Sequence, residues 1–202
     1  MLDEEARKMD LFSANVSLEK IKTGLTSKIN PKIDNSEKQK LAAVLIIIYD
    51  DPPKILMTKK PPTMIQHGGE IAFPGGKLID SDYDLLETAL RETEEETGLN
   101  ISKNNVVGQL KQVTTLNSGF TILPFICILD RISNLVANSE VEAFLQIPFV
   151  SFLKTLRNDI NSKHNSIQEM FQFTFEKNLI WGASARMLKE VHDNLVEKDL
   201  MY

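Results

Sequence analysis

The sequence predicts an α/β (α+β) fold in which a mixed central sheet lies between layers of helices. Three observations carry that expectation. Residues 41–49 form an unbroken apolar run rich in β-branched side chains, the pattern of a strand covered on both faces. A helical period over residues 82–97 follows closely on the tandem glycines Gly75 and Gly76. A second helical stripe, Ala185, Leu188, Val191 and Leu195, closes the chain within residues 183–198.

Length and composition set the frame. A chain of 202 residues suits one domain with a small appendage, and 42% hydrophobic with 25% charged residues is ordinary for a globular chain. Cys127 is the only cysteine, which excludes an internal disulfide framework and a zinc knot built on several thiolates. The net charge of −5 argues against a general nucleic-acid binder but leaves a nucleotide substrate open, since local charge governs there. No apolar run approaches the ~20 residues of a membrane helix, and the first residues lack a secretory pattern. The expectation is a soluble cytoplasmic protein with no membrane partner.

The elements follow in order. Within the polar residues 1–39, Leu18, Ile21, Leu25 and Ile29 recur at helical spacing, and Asn30-Pro31 is a stop signal. This predicts an N-terminal helical extension with a mobile start, or alternatively a flexible tail, ahead of a main domain at 40–202. Asp50-Asp51-Pro52-Pro53 is turn chemistry, so residues 41–49 and 54–58 read as a hairpin. A short strand at 71–73 enters Pro74-Gly75-Gly76. Residues 106–115 and 122–129 read as two further strands, 171–175 as another, and 141–156 as a strand or turn followed by a helix. The long helix at 82–97 stops at Gly98, a residue suited to a left-handed cap.

That helix carries the chemistry. Glu92, Glu95 and Glu96 stand at i, i+3 and i+4, so their carboxylates share an arc of roughly 100° beside the Leu86/Ala89/Leu90 stripe. Unpaired, they repel one another and oppose the negative end of the helix dipole. A hard divalent cation reverses that balance, and an oxygen-only ligand set fits Mg²⁺ or Mn²⁺. Arg91 can clamp a carboxylate with two hydrogen bonds. A solvated acidic face is the plain alternative for such a pattern. The preceding glycines add to the metal reading, because tandem glycines let a backbone approach a ligand closely.

Gly76 followed by Arg91-Glu92-x-x-Glu95-Glu96-x-Gly98-Leu99 resembles the box of the Nudix hydrolases, G-x5-E-x7-R-E-U-x-E-E-x-G-U with U apolar. Gly76 and Arg91 are fifteen positions apart, one more than the common form; Asp82 replaces the first Glu, and Thr93 fills an apolar position. The insertion is similar to that of the coenzyme A diphosphatase subgroup. So are Leu56-Met57-Thr58, Gly69-Glu70 with Phe73-Pro74-Gly75-Gly76, Ser118-Gly119-Phe120 with Pro124-Phe125, Val141-Glu142 with Ile147-Pro148, and the run from Ile180 to Arg186. The subgroup's Arg has no counterpart, with Met64 and Ile65 in its neighbourhood. The resemblance spans about residues 41–195.

The resemblance implies a Nudix-type α/β/α sandwich and hydrolysis of a nucleoside diphosphate linkage. It implies metal ligation by Glu92, Glu95, Glu96 and the Gly76 carbonyl, with Glu92 as base or metal-bridging acid and Arg91 orienting the glutamates. Glu140 or Glu142 is a candidate for a further, late acid. Gly69, Phe73, Pro74, Gly75, Lys77, Ser118 and Phe120 are the expected substrate contacts. In the subgroup, coenzyme A or acyl-coenzyme A gives 3′,5′-ADP and 4′-phosphopantetheine. Lys59, Lys60, Lys77 and Lys111 are candidate partners for the 3′-phosphate, and Phe120 and Met64 for the pantetheine arm. Other substrates, such as ADP-ribose, dinucleotides or nucleoside triphosphates, stay open, as do a non-catalytic nucleotide-binding module and, by analogy, a homodimer. His67 reads as a hydrogen-bonded turn residue, Cys127 as a buried small hydrophobe, and Trp181 as a packing residue.

Overall fold

A computed structural model describes residues 16–33, 40–64, 67–116, 118–161 and 170–201. The expected mobile start of the chain, and Ile65 beside the unmatched Arg position, lie outside the described residues.

The apolar run becomes β1 (Lys40–Tyr49), the centre of an eight-stranded mixed sheet. It pairs in parallel with β7 (Phe120–Leu129), from Lys40 opposite Phe120 to Tyr49 opposite Leu129. On its other edge the C-terminal half pairs antiparallel with β2 (Lys54–Lys59), and the N-terminal half with β4 (Gly75–Lys77). β3 (Ile71–Ala72) and β8 (Ala143–Pro148) flank β2, while β5 (Val106–Gln109) and β6 (Val113–Thr114) pair with β7. A separate small sheet holds β9 (Arg157–Asn158), β10 (Phe171–Phe175) and β11 (Asn178–Ile180).

The sandwich follows from alternation along β1. Ala43, Leu45 and Ile47 point into a core with Leu85, Leu86 and Ala89 of helix α2 (Leu85–Thr97). Ile46 and Ile48 point the other way, into a core shared with α1 (Leu18–Leu25), α3 (Phe149–Leu153) and α4 (Gly182–Glu197). Helices thus cover both faces, as the uninterrupted apolar run requires.

Several expectations shift. The N-terminal helix ends at Leu25, so Ile29 is not on it and packs instead in the α2-side core. The break follows from what comes next: Ser27 donates its backbone N–H to the Val107 carbonyl and exchanges side-chain hydrogen bonds with Gln109, drawing the chain along β5. The strand expected at 106–115 is two, with a register shift between Val106 and Gly108 and a break after Gln109. Gly108 allows that approach, since a Cβ there would meet the Leu25 carbonyl oxygen at 2.3 Å. Gly75 and Gly76, read from the sequence as a glycine turn after the short strand, belong with Lys77 to strand β4. The long helix begins at Leu85 with Asp84 as N-cap, and Asp82 stands in the loop before it.

α1 sits against α4, where a Cβ on Gly24 would approach Leu200 and Leu195 at 2.6 and 2.8 Å. Ile21 is fully buried beneath it. Ile21→Ala is therefore expected to cost roughly 2–4 kcal/mol in urea unfolding; a loss below about 1 kcal/mol would separate α1 from the folded unit. Among the described residues no helix is long and apolar enough to cross a membrane.

Candidate active site

The site is organised by α2 and the strand it leans on. The Asp84 side chain accepts from the Glu87 N–H at 2.9 Å, fixing the start of α2. Gly98, at φ 73°, ends it in the left-handed region and donates to the Glu94 carbonyl. Thr93, standing at an apolar position of the motif, is fully buried and donates its hydroxyl to the Ala89 carbonyl at 2.7 Å. Satisfied in this way, the hydroxyl fits an apolar slot.

Arg91 lies at the hub of the charged groups. Its Nε and Nη2 grip Asp82 at 2.8 and 2.9 Å, and Nη2 also donates to the Lys77 carbonyl at 3.2 Å. Nη1 reaches Glu92 at 2.9 Å and Glu95 at 3.3 Å. Asp82 is nearly buried, with 2% side-chain exposure, and accepts further hydrogen bonds from the Thr88 hydroxyl and the Ile79 N–H. The Arg91 hydrogen bonds hold its carboxyl below the usual range. The acid at the motif's first position thus anchors Arg91.

The three glutamates have different surroundings. Glu92 lies over Gly76, where a Cβ would come within 2.3 Å of its carboxyl carbon. Glu96 has 4% side-chain exposure; its Oε2 accepts from the Gly75 N–H at 3.4 Å and its Oε1 faces Lys60 Nζ at 3.8 Å. Glu95 is more than half exposed and turns to Arg91. Burial pushes the Glu96 carboxyl up to about 7, against the pull of Lys60 and the Gly75 N–H, with Glu92 and Glu140 adding repulsion. Burial also raises Glu92; Arg91 opposes that shift, and Glu95 and Glu140 reinforce it.

Glu140 is the late acid that faces this cluster. Lys60 Nζ lies 3.5 Å from it, bridging it to Glu96. Glu142 turns instead to Lys59 at 3.3 Å. The pairing of β2 with β8, with Lys59 opposite Ala143, brings this distant segment to the site. Periodicity of α2 could not reveal Lys60 or Glu140, because neither belongs to that helix.

A cavity of about 320 Å³ opens on the other face of β4. Of the expected substrate contacts, Phe73, Gly75, Lys77, Ser118 and Phe120 line it, as does Gly76. Gly69 and Pro74 are not among its walls. Gly69, at φ 77°, donates to the Lys60 carbonyl, and the Pro74 carbonyl accepts from Leu45 in the sheet. Met64, Lys59 and Lys111 are also absent from the lining. Ile122, Met170, Trp181 and Met187 give the cavity an apolar wall. Trp181 therefore contributes to the cavity surface as well as preceding α4. His67 is a hydrogen-bonded turn residue, its Nδ1 2.8 Å from Glu70, and both line the cavity rim. Cys127 is fully buried, and burial pushes its thiol up to about 12.

The donor set fits a hard divalent cation in its chemistry. Two desolvated carboxylates, a third within reach of Arg91, and a glycine backbone in contact with Glu92 supply oxygen atoms and excess negative charge. Among the described residues no three acidic or histidine side chains already converge as a ligand group. Arg91 and Lys60 hold the carboxylates as counter-charges instead. Gly76→Ala should displace Glu92 and lower turnover about 100-fold, read by initial rates; unchanged rates would show that the close approach of Glu92 to β4 is unimportant.

An eight-stranded mixed sheet between helices, with an acidic Arg-Glu-x-x-Glu-Glu helix against a Gly-Gly strand, is the arrangement that the Nudix resemblance implies. A family model described as the NUDIX domain matches residues 39–177. The chain belongs to that family and is a Nudix hydrolase. It is 34% identical over 138 residues to the uncharacterized Nudix hydrolase NudL of Yersinia enterocolitica, covering 67% of this chain and 70% of the relative. To the NudL of Cronobacter sakazakii it is 30% identical over 146 residues, covering 70% and 75%. A MutT/nudix family protein from Enterococcus faecalis superposes over 95% of this chain and 74% of its own, with TM-score 0.58 and 16% identity. A NUDIX hydrolase from Alicyclobacillus acidocaldarius covers 82% and 96%, with TM-score 0.52 and 18% identity. At such identities these structures speak for the fold alone.

Proposed function

We propose that the chain is a divalent-metal-dependent diphosphatase of coenzyme A or acyl-coenzyme A, releasing 3′,5′-ADP and 4′-phosphopantetheine. One observation carries the reading. The segments that resemble the coenzyme A subgroup outside the acidic box, at Phe73–Gly76, Ser118–Phe120 and Trp181–Arg186, contribute walls to one cavity, and that cavity shares Lys60 and β4 with the glutamate cluster although no proposed ligand glutamate lines it. Its apolar wall suits a pantetheine arm or a nucleobase. A cytoplasmic location goes with such a substrate.

The proposed ligands for Mg²⁺ or Mn²⁺ are Glu92, Glu95, Glu96 and the Gly76 carbonyl. Bound there, the ion supplies charge neutralisation for the diphosphate and an acidified water. Arg91 orients Glu92 and Glu95 through the hydrogen bonds it makes to both. Glu92, desolvated and raised, is the proposed acceptor of the proton that the attacking water loses. Glu140 adds negative charge at the same place and is the proposed alternative acceptor. Gly69 supports the site through the Lys60 carbonyl, and Pro74 fixes β4 against β1.

The second reading keeps the acidic site and changes the substrate to ADP-ribose, a dinucleotide or a nucleoside triphosphate. Met64 near the position of the subgroup's Arg is the observation that favours it. A substrate panel with Mg²⁺ and with Mn²⁺ decides. Higher kcat/KM for coenzyme A and its acyl esters is expected; turnover of ADP-ribose far above theirs would overturn the coenzyme A reading. Binding of nucleotide with no hydrolysis across the panel would leave a binding module.

A further inference from the structure

We infer that Lys40 and Lys77, set about the ring of Phe120 at the cavity mouth, form a site for a second phosphate, a phosphomonoester on the ribose of the bound nucleotide. The inference rests on the reading of the cavity as a nucleotide diphosphate site and assigns the group that sets its specificity. Register places these residues on one sheet face. Lys40 lies opposite Phe120 and Ala42 opposite Ile122 in the β1–β7 pair, while Ala42 faces Lys77 and Val44 faces Gly75 in the β1–β4 pair. Side chains two apart share a face of a strand. Ala42, Val44, Gly75, Lys77, Phe120 and Ile122 accordingly line the cavity, and Lys40 stands one step beyond Ala42 at its rim.

The two ammonium groups are held near the same ring. Lys77 Nζ lies 5.5 Å from the Phe120 ring centroid and Lys40 Nζ lies 5.7 Å from it. Lys40 also donates to the Ser118 carbonyl at 3.4 Å. Among the described residues neither lysine forms an ion pair, whereas Lys59 and Lys60 are held by Glu142, Glu96 and Glu140. Two cations held about one ring repel each other, and a dianionic phosphate bound within reach of both reverses the sign of that interaction. The spacing fits one nucleotide. Gly75, whose N–H meets Glu96, and Lys77 are two residues apart on β4, roughly 7 Å along the strand. That is about the separation of two phosphates across one ribose, so the reacting diphosphate and the second phosphate are served by the same short strand. The shared chemistry is a ribose phosphomonoester, whether at the 3′ position, as in coenzyme A, or at the 2′ position.

The test is calorimetric titration of the full chain, without metal and at fixed ionic strength, with 5′-AMP, adenosine 3′,5′-bisphosphate and adenosine 2′,5′-bisphosphate. The expected result is a bisphosphate bound about tenfold or more tightly than 5′-AMP. That preference should fall to near one in the Lys40→Met/Lys77→Met double variant and persist in the Lys40→Arg/Lys77→Arg variant. Equal affinity for all three ligands in the wild type, or a preference that survives the double methionine variant, overturns the inference. The wild-type comparison decides even where a variant fails to fold. Preference for the 3′ isomer assigns the source to coenzyme A; preference for the 2′ isomer keeps the site and overturns the coenzyme A reading. Failure of the two ideas is also separable by turnover. Hydrolysis of coenzyme A with no bisphosphate preference removes this site and keeps the diphosphatase; a lysine-dependent preference with no hydrolysis of any diphosphate does the reverse.

Discussion

Glu96→Gln is expected to lower turnover by about 10²–10³-fold while making the metal-free protein more stable at pH 8. Both halves come from the same burial. Glu96 sits almost out of solvent with Lys60 and the Gly75 N–H as its polar neighbours, and its carboxyl is pushed up to about 7 from 4.5. A carboxyl raised on folding stabilises the protein fully below its unfolded value and loses that contribution as pH rises through the folded one. Metal-free protein should therefore lose on the order of 3 kcal/mol between about pH 4.5 and pH 7. Glutamine keeps the shape and removes the charge, so the variant should show a flatter stability profile across that window. Urea midpoints against pH, beside initial rates, check both. A variant that is less active and also less stable at pH 8 would mean that Glu96 is a structural carboxylate, satisfied by its ion pair.

Arg91→Ala should destabilise the protein strongly, by roughly 3–5 kcal/mol. It strands Asp82, whose carboxylate is nearly buried and takes two guanidinium hydrogen bonds. It also frees Glu92 and Glu95 from their shared partner, and a misplacement of about 1 Å at such a site costs on the order of 100-fold in rate. Arg91→Lys should recover little, because an ammonium cannot span Asp82 with a two-bond fork and still reach Glu92. Denaturant midpoints and initial rates on both variants are the measurement. Wild-type stability in Arg91→Ala would show that the Asp82 pair contributes nothing net.

Much of this site is legible in the sequence because its core is local. Gly76, Arg91, Glu92, Glu95 and Glu96 lie on one strand and one helix, and helical spacing alone predicts that the side chains of Glu92, Glu95 and Glu96 share a side. Spacing does not say how each carboxylate is solvated. It predicts three equivalent acids, whereas the packing of α2 on β4 buries Glu96, tucks Glu92 over Gly76 and leaves Glu95 in solvent. The sequence offers Glu140 as a late acid and Lys60 as a phosphate partner, but that Lys60 instead bridges Glu140 to Glu96 depends on the β2–β8 pairing, which no local pattern shows. Among four candidate lysines the sequence had no means to separate those held by acids from Lys77, and it did not single out Lys40, whose place depends on strand register. The N-terminal helix shows the same limit. Its period runs on to Ile29, but the hydrogen bonds of Ser27 to β5 end the helix at Leu25.

Hydrolysis of coenzyme A in ¹⁸O-labelled water, with the products resolved by mass spectrometry, tests the role of these glutamates most directly. With Mg²⁺ or Mn²⁺ present the wild type is expected to yield 3′,5′-ADP and 4′-phosphopantetheine, one of them carrying a single label, and Glu96→Gln to yield almost none. Unlabelled products, intact coenzyme A, or equal yields from the glutamine variant would contradict the assignment of diphosphate hydrolysis to these glutamates.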